Sequence, residues 1–289
     1  MSRRGTEVIE GDPQTTVGID VGATLTKLAI RAPDGEIGFS FAPTADLTAV
    51  ADRVKAIGAV LAGLTGAGAS ELGRTLPGET TAVNEFAAWG AGANELLRRE
   101  NASPGGRFLL VSVGTGTSVM LADGMAVQRV GGTALGGGTL VGLGAALLAT
   151  ESFTELAELA RLGDRRSIDL MVSDIYRPGE IALAGDLTAA NLGKLAQRHG
   201  EPAGQDSRYR EDLAHGLMAL IGENVALVCA GFGAALQVRH LVFGGSTLRD
   251  NPALTEIVGT IAQATGSQVQ FLTNGEFAGA LGALLLAES

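Results

Sequence analysis

Charged residues flank a glycine turn near the start of the chain, in the sequence GIDVGATLTK. Asp20 ends an apolar stretch, Gly22 begins the turn, and Lys27 lies in the alternating stretch that follows. Backbone N–H groups and a hydroxyl at such a turn can bind phosphate, an aspartate can bind Mg²⁺ directly or through water, and a lysine can neutralise charge. The spacing matches neither the P-loop nor the dinucleotide-binding glycine pattern. The motif alone leaves two alternatives, a phosphate-binding hairpin and a plain tight hairpin.

A second glycine turn, Gly114 to Ser118, has more hydroxyl groups and also lies between two apolar stretches. The sequence IDVGATLTKLAI aligns on VSVGTGTSVMLA without a gap, which places Gly22 on Gly114. Two such units in one chain indicate a duplicated, two-lobed fold in which both turns face one cleft. Chance similarity of two glycine hairpins is the alternative.

Two further glycine segments, Gly136 to Thr139 and Gly244 to Ser246, also punctuate the chain. Glycines leave room for close approach of a nucleotide, and a helix after the first segment would present its N-terminal dipole. A single glycine run before a helix is as often a packing device. Four such turns together favour a nucleotide-binding cleft.

Glu85 follows the alternating stretch Thr80 to Asn84 and opens an apolar helix. Partial desolvation among apolar neighbours would raise its pKa, which suits a general base. The alternative is a helix N-terminal charge that interacts favourably with the dipole.

Composition narrows the class of protein. The chain has 289 residues, 46% of them hydrophobic, with 43 glycines and a net charge of −10. This suits a two-lobed α/β enzyme and argues against nucleic-acid binding. The cysteine and histidine content excludes two further kinds of site. The one cysteine gives no disulfide framework, and the three histidines do not have the spacing of a zinc motif. The longest apolar run, Val225 to Leu236, is shorter than the about 18 residues that span a bilayer, and Met1 to Gln14 contains no apolar segment of the kind that a secretory signal has. We therefore expect a cytoplasmic protein that binds no membrane.

The pattern of strands and helices predicts four segments. These are a disordered tail at 1–14, an N-terminal lobe at 15–105, a C-terminal lobe at 106–275, and a C-terminal helix at 276–289 that returns to the N-terminal lobe. Glu211 to Val238 is predicted to form one long helix or a broken pair.

The order of the motifs resembles the superfamily of acetate and sugar kinases, heat-shock chaperones and actin, and within it the type II pantothenate kinases. The resemblance covers Thr16 to Leu286 and rests on these stretches: GIDVGATLTK, NEF, SVGTGTS, QRVGGTALGGGTLVGLG, GDRRSIDLMVSDIY, GDLTAANLG and NGEFAGALGAL. It implies an actin-like, ribonuclease H-like duplicated fold with a nucleotide cleft between the lobes. The implied activity is ATP-dependent phosphorylation of pantothenate to 4′-phosphopantothenate, the first step of coenzyme A biosynthesis.

The resemblance also implies roles for individual residues. Glu85 takes the position of the catalytic base, while the assignment of Mg²⁺ to Asp20, directly or through water, comes from the chemistry of the hairpin described above. The pantothenate-binding positions are Ser118, Arg129 and Ala189, the last on a segment that approaches the partner subunit's site in a homodimer. The ATP-binding positions are Asp20, Gly22, Ala23, Thr24, Leu25, Thr26, Lys27, Thr115, Gly137, Gly138, Thr139, Leu140, Val141, Phe153 and Ser246.

Two positions depart from the family pattern. Ala23 stands where the phosphate loop commonly has glycine, which puts ATP affinity or the loop path in question, and Phe271 stands where relatives can carry tyrosine. Feedback by coenzyme A or its thioesters is therefore left open. Two alternatives remain beside pantothenate kinase: another superfamily kinase that acts on a sugar or amino sugar, and a non-catalytic protein that senses ATP or coenzyme A.

Overall fold

The computed structural model describes residues 14–182, 184–197 and 207–289. The tail predicted at 1–14 lies, apart from Gln14, outside these residues. The chain divides into two compact units. Unit 1 contains the described residues up to Glu95 and those from Phe277 to Ser289, and unit 2 contains those from Leu96 to Glu276.

The strands and helices follow in chain order. They are β1 (Thr16–Val21), β2 (Leu25–Arg31), β3 (Ile37–Pro43), α1 (Leu47–Ala56), β4 (Leu61–Thr65), α2 (Ala69–Gly73), β5 (Glu79–Ala82), α3 (Glu85–Arg99), β6 (Phe108–Val113), β7 (Thr117–Asp123), β8 (Ala126–Thr133), α4 (Gly137–Leu148), α5 (Phe153–Leu162), β9 (Leu170–Met171), α6 (Val172–Ile175), β10 (Thr188–Ala190), α7 (Ser207–Leu236), β11 (His240–Gly244), α8 (Pro252–Ala264), β12 (Gln268–Phe271) and α9 (Ala278–Ala287).

Each unit contains a five-stranded sheet, and the two sheets have the same plan. The order is β3-β2-β1-β4-β5 in unit 1 and β8-β7-β6-β11-β12 in unit 2. In both, the first three strands in sequence pair antiparallel, and the last two join parallel to the first. The predicted α/β duplication is therefore present in the backbone.

The two glycine hairpins differ in length by one residue. In unit 1 the last ladder pair is Val21 with Thr26, whereas in unit 2 it is Val113 with Thr117. The gap-free alignment of the two sequences is therefore wrong after the turn. By register, Lys27 corresponds to Ser118 and not to Val119, because the first turn contains one more residue.

Helix α9 packs directly on the sheet of unit 1. Gly18 and Gly63 are ladder partners on β1 and β4, and a side chain at either would collide with the α9 backbone. Gly92 of α3 and Gly282 of α9 touch in the same way, so this close helix crossing lies within unit 1. Small residues let the backbones approach, and the apolar side chains of β1, β4 and α1 fill the core on the other side.

Helix α7 is the central helix of unit 2 and is continuous over 30 residues. It packs against α4, α5, α8 and the sheet. It is also long and apolar enough to cross a bilayer, but 56% of its most apolar window is buried within the protein. Its buried face includes Asp212 and Glu223. This burial is typical of a core helix.

Candidate functional site

Asp20 and Lys27 form a buried ion pair across the first hairpin. The two are ladder partners, and Lys27 Nζ lies 3.5 Å from Asp20 Oδ2. Burial raises the pKa of the Asp20 carboxyl above its usual range, and the charge and hydrogen bond of Lys27 oppose the rise. The pair therefore places a desolvated carboxylate and a cation at the end of β1, next to the glycine turn.

Glycines surround this ion pair because side chains would not fit there. A Cβ at Gly279 would lie 2.9 Å from Asp20 Oδ2, and one at Gly66 would lie 2.9 Å from Asp20 Oδ1. A Cβ at Gly22 would lie 2.8 Å from Lys27 Nζ. The carboxylate and the amine are thus held against backbone on three sides.

The turn itself is tied down by threonines. The Thr44 hydroxyl donates to the Gly22 carbonyl at 2.9 Å, which leaves Thr26 as the donor in the 3.0 Å bond between the Thr26 and Thr44 hydroxyls. Thr26 is fully buried. The Thr26 hydroxyl therefore holds the hairpin together, and the Thr26 backbone is part of the sheet, paired with Val21 and Ala42. Ala23 is exposed at the tip and does not have a positive φ, so the backbone there does not require glycine.

Glu85 is the first residue of α3 and also belongs to unit 1. The Asn84 side chain caps the helix, accepting from the N–H groups of Phe86 at 3.0 Å and Ala87 at 3.1 Å. Although the Glu85 side chain reaches solvent, partial burial raises the pKa of its carboxyl. The negative charge of Asp20 raises that pKa further, and Lys27 lowers it. The predicted rise in pKa is confirmed, and Asp20 is a cause of it that the sequence did not reveal.

In unit 2 the second hairpin packs against the start of α4. The N–H groups of Gly137 and Gly138 donate to the carbonyls of Gly114 at 2.8 Å and Thr115 at 2.9 Å. A Cβ at Gly136 would lie 2.7 Å from both of these carbonyl oxygens. These glycines therefore make room for the second hairpin, and the room for a nucleotide that the sequence predicts at this segment stays a prediction. Two of the helix N-terminal amides are already engaged.

The other ATP-binding positions predicted in unit 2 have different surroundings. Leu140 is fully buried in the core, and Phe153 packs against that core as the first residue of α5. Ser246 lies in the loop after β11, next to Thr247, whose hydroxyl donates to the Gly114 carbonyl at 2.8 Å. Thr139 donates its hydroxyl to Ala134 at 3.0 Å.

A cavity of about 440 Å³ lies beside the Ser246 loop, where β11 and β12 end. Gly244, Gly245, Arg249 and Asn274 line it, together with Phe271, which stacks on Phe243 with ring centres 5.5 Å apart. Open α/β sheets bind ligands at the carboxyl ends of parallel strands. The sequence pattern singled out Gly244 and Gly245, but not the part of the wall that comes from Phe271 to Glu276 after β12.

Two of the predicted pantothenate-binding residues lie on neighbouring strands. Ser118 of β7 pairs with Gly132 of β8, and a Cβ at Gly132 would come within 3.2 Å of Arg129 Nη2. Arg129 is a ladder partner of Met120, and its exposed guanidinium has no ion-pair or hydrogen-bond partner among the described residues. Ala189 lies on β10, a separate short strand paired with β9.

Solved structures share this fold over almost the whole chain. Component A of the (R)-2-hydroxyglutaryl-CoA dehydratase of Acidaminococcus fermentans matches 95% of this chain and 97% of its own chain, with a TM-score of 0.61 and 19% identity. A glucokinase of the ROK family from Streptomyces griseus was solved with glucose and AMPPNP. It matches 95% of this chain and 99% of its own chain, with a TM-score of 0.58 and 14% identity. At these identities the likeness shows the fold, and the predicted two-lobed, actin-like class is confirmed.

Sequence comparisons identify the family. The Fumble family model matches residues 82–286. The type II pantothenate kinase of Oceanobacillus iheyensis is 34% identical over 93% of this chain and 98% of its own length. The type II pantothenate kinase of Bacillus anthracis is 32% identical over 95% of this chain and 98% of its own length. The chain belongs to the family of type II pantothenate kinases.

Proposed function

We propose that this protein transfers the γ-phosphoryl group of ATP to the primary hydroxyl of pantothenate, giving 4′-phosphopantothenate and ADP at the start of coenzyme A biosynthesis. The names of its full-length relatives support the choice of substrate. The observation that carries the reaction type is the Asp20–Lys27 ion pair, 3.5 Å across the first hairpin, with Glu85 at the start of α3 in the same unit. A base, a carboxylate and a cation in one place are the groups that phosphoryl transfer to an alcohol requires.

Glu85 acts as the general base. The pantothenate oxygen attacks the γ-phosphorus while its proton passes to the Glu85 carboxylate, and the bond from that phosphorus to the β,γ-bridging oxygen breaks to release ADP. A raised pKa makes the carboxylate a better proton acceptor near neutral pH. Lys27 neutralises negative charge on the phosphates as the reaction proceeds.

Asp20 fits the binding of Mg²⁺. Its carboxylate is buried beside the Thr65 hydroxyl on the adjacent strand, which has no hydrogen-bond partner among the described residues. No group of three or more His, Cys, Asp or Glu side chains suited to a metal occurs in the described part of the chain. This agrees with Mg²⁺, which commonly takes one or two carboxylates together with substrate phosphates and water. When bound, Mg²⁺ supplies positive charge to the transferring phosphoryl group.

The remaining site residues divide between the two substrates. For ATP, the turn Gly22 to Lys27, Thr115 and the segment 137–141 hold the phosphates, and Phe153 and Ser246 hold the nucleoside. For pantothenate, the Arg129 guanidinium binds the carboxylate, and Ser118 and Ala189 complete the site. The Arg129 guanidinium supports this division, because it is exposed and has no partner among the described residues.

We further propose that the protein is a cytoplasmic homodimer in which α7 contributes to the interface. Leu227, on the outer face of α7, is 53% exposed, and Gly231 lies one turn further along that face. An exposed apolar residue beside a glycine suits close contact with a second helix. We also propose that coenzyme A or its thioesters regulate the kinase activity.

A coupled assay of ADP release tests the function directly. We expect release that depends on pantothenate and stays at background with glucose, with N-acetylglucosamine and without an acceptor. Release with a sugar instead of pantothenate would favour the sugar-kinase alternative. Absence of release with every acceptor would favour the non-catalytic alternative.

A further inference from the structure

A buried polar cluster in unit 2 lies outside the residues assigned above. Arg165, just after α5, forms an ion pair with Glu223 in the middle of α7, and its Nη1 also donates to the Thr188 hydroxyl at 3.0 Å. The Thr188 hydroxyl donates in turn to Glu223 Oε1 at 2.7 Å. Asn191 Nδ2 donates to Glu223 Oε2 at 2.9 Å. Both oxygens of the buried Glu223 carboxylate therefore accept hydrogen bonds from the short segment 188–192.

Asp169 holds the far end of the same segment. It is fully buried, and its Oδ1 accepts from the Leu192 N–H at 2.7 Å. Leu192 has a positive φ of 58°, a conformation that a leucine rarely adopts without support. The other oxygen, Oδ2, has no hydrogen-bond partner among the described residues and lies 3.9 Å from Arg165 Nη1.

Between these two anchors the strand β10 is irregular. Thr188 pairs with Met171, and Ala190 pairs with Leu170, so Ala189 is an extra residue in the ladder. A bulge of this kind changes the direction in which a strand presents its side chains and is common next to active sites. Ala189 is exposed.

The cluster is a costly way to hold a strand. Removing ions from water costs several kcal/mol for each ion, and well-packed apolar residues often stabilise a fold equally well. Glu223 is only 7% exposed and Asp169 is fully buried, with one arginine between two carboxylates. The benefit that explains such a cluster is fixed geometry of what it holds.

We propose that Arg165, Asp169 and Glu223 are positioning residues that fix the bulged strand β10 so that Ala189 contacts pantothenate in the partner subunit's active site. This inference rests on the proposed function and on the proposed homodimer. It predicts that damage to the cluster weakens pantothenate binding while leaving ATP binding intact.

The first test is Glu223→Gln, which keeps the size of the side chain and removes the ion pair. We expect KM for pantothenate to rise about tenfold or more, which is a loss of about 1.4 kcal/mol of binding free energy, with KM for ATP unchanged. Glu155→Gln is the matched control, because Glu155 also joins α7, through Arg210 at 3.0 Å, but does not touch segment 188–192. Equal rises in both KM values, or the same result in the control, would overturn the proposal.

Asn191→Ala covers the case in which Glu223→Gln fails to fold. It removes the 2.9 Å bond to Glu223 and the side-chain hydrogen bond to the Asp169 carboxylate, and it leaves the Arg165–Glu223 ion pair in place. We expect a smaller rise in KM for pantothenate alone, with the melting temperature near that of the wild type. An unchanged KM for pantothenate would contradict the proposal.

Mixed dimers show in which subunit the cluster acts. Glu85→Gln chains lack the base, so in a mixture with Glu223→Gln chains every active site that works belongs to a Glu223→Gln chain. In a mixed dimer that site receives β10 from a chain with an intact cluster. We expect mixing to restore a low KM for pantothenate. A KM that stays at the value of Glu223→Gln alone would overturn the proposal, and so would a wild-type protein that is monomeric. Wild type without pantothenate-dependent ADP release would instead refute the proposed function.

Discussion

The two glycine hairpins share a backbone plan and differ in charge. One step from the turn, β1–β2 places Asp20 opposite Lys27, whereas β6–β7 places Ser112 opposite Ser118. The first hairpin is coupled to a glutamate of raised pKa, and the second is bonded to the start of a helix. The duplicated fold thus preserves the backbone in both copies, while the ionised groups that suit phosphoryl transfer lie in one.

The loops after the parallel strands show what the duplication does preserve. Gly66 follows β4 and Gly245 follows β11, both with positive φ, and a side chain at either would meet the carbonyl of Val21 or Val113 at the end of β1 or β6. Two residues later, the N–H groups of Gly68 and Thr247 donate to these same two carbonyls. The backbone contacts repeat because the sheet geometry demands them, whereas side chains at the turn are free to diverge.

Among the substitutions that test the charged groups of the first hairpin and its surroundings, we expect Glu85→Gln to lower activity the most. Loss of the general base lowers kcat by about 10² to 10⁴-fold, while ATP still binds, because the hairpin is unchanged. Steady-state kinetics and ATP titration measure the two properties. Glu79→Gln, an exposed glutamate on β5 in the same unit, serves as the control. Nearly normal turnover in Glu85→Gln would remove the assigned base.

Gly279→Ala tests whether the packing around the Asp20 carboxylate leaves room for a side chain at position 279. The added methyl would lie 2.9 Å from Asp20 Oδ2 and 3.1 Å from Trp89 Nε1, and overpacking of this kind costs about 1–3 kcal/mol. We expect a lower free energy of unfolding in denaturant and a change in the emission of Trp89, the one tryptophan of the chain. Gly38→Ala is the control, since no atom lies within 4 Å of a Cβ there. Equal stability of the two variants would contradict the close packing.

Lys27→Met tests the coupling through pH. Activity rises with pH as Glu85 loses its proton, and the charge of Lys27 lowers the pKa of Glu85. Removing that charge raises this pKa, so the acidic limb of the kcat/KM profile moves to higher pH. Lys55→Met, which removes an exposed lysine of α1, leaves the limb in place. A limb that moves to lower pH in Lys27→Met would show that the two groups are not coupled as described.

Ala23→Gly is expected to have the smallest effect. The Ala23 side chain is exposed and its backbone does not require glycine, so we expect KM for ATP to stay unchanged. The free energy of unfolding falls by about 0.4–1 kcal/mol, because glycine gains freedom in the unfolded chain. A clearly lower KM for ATP would mean that the methyl group hinders the phosphates.

The sequence located most of the individual groups but not the contacts between them. The turns at Gly22 and Gly114, the helix that begins near Glu85 and the long helix α7 follow from local patterns, and the structure contains all of them. The bonds from Gly137 and Gly138 to the second hairpin join segments that are distant in the chain, as do the bonds from Glu223 to Thr188 and Asn191. Local periodicity holds no information on such pairs. The same holds for the one-residue difference between the hairpins, which only the strand register shows.

Direct detection of 4′-phosphopantothenate by mass spectrometry, from ATP and pantothenate, tests the central claim that the charged hairpin serves phosphoryl transfer to pantothenate. The variant to compare is Asp20→Ser, which gives the first hairpin the residue that the second carries at this place, with Ser112→Ala as the matched change in the second hairpin. We predict product from the wild type and from Ser112→Ala, and little from Asp20→Ser. No product from the wild type, or as much from Asp20→Ser as from the wild type, would contradict the account.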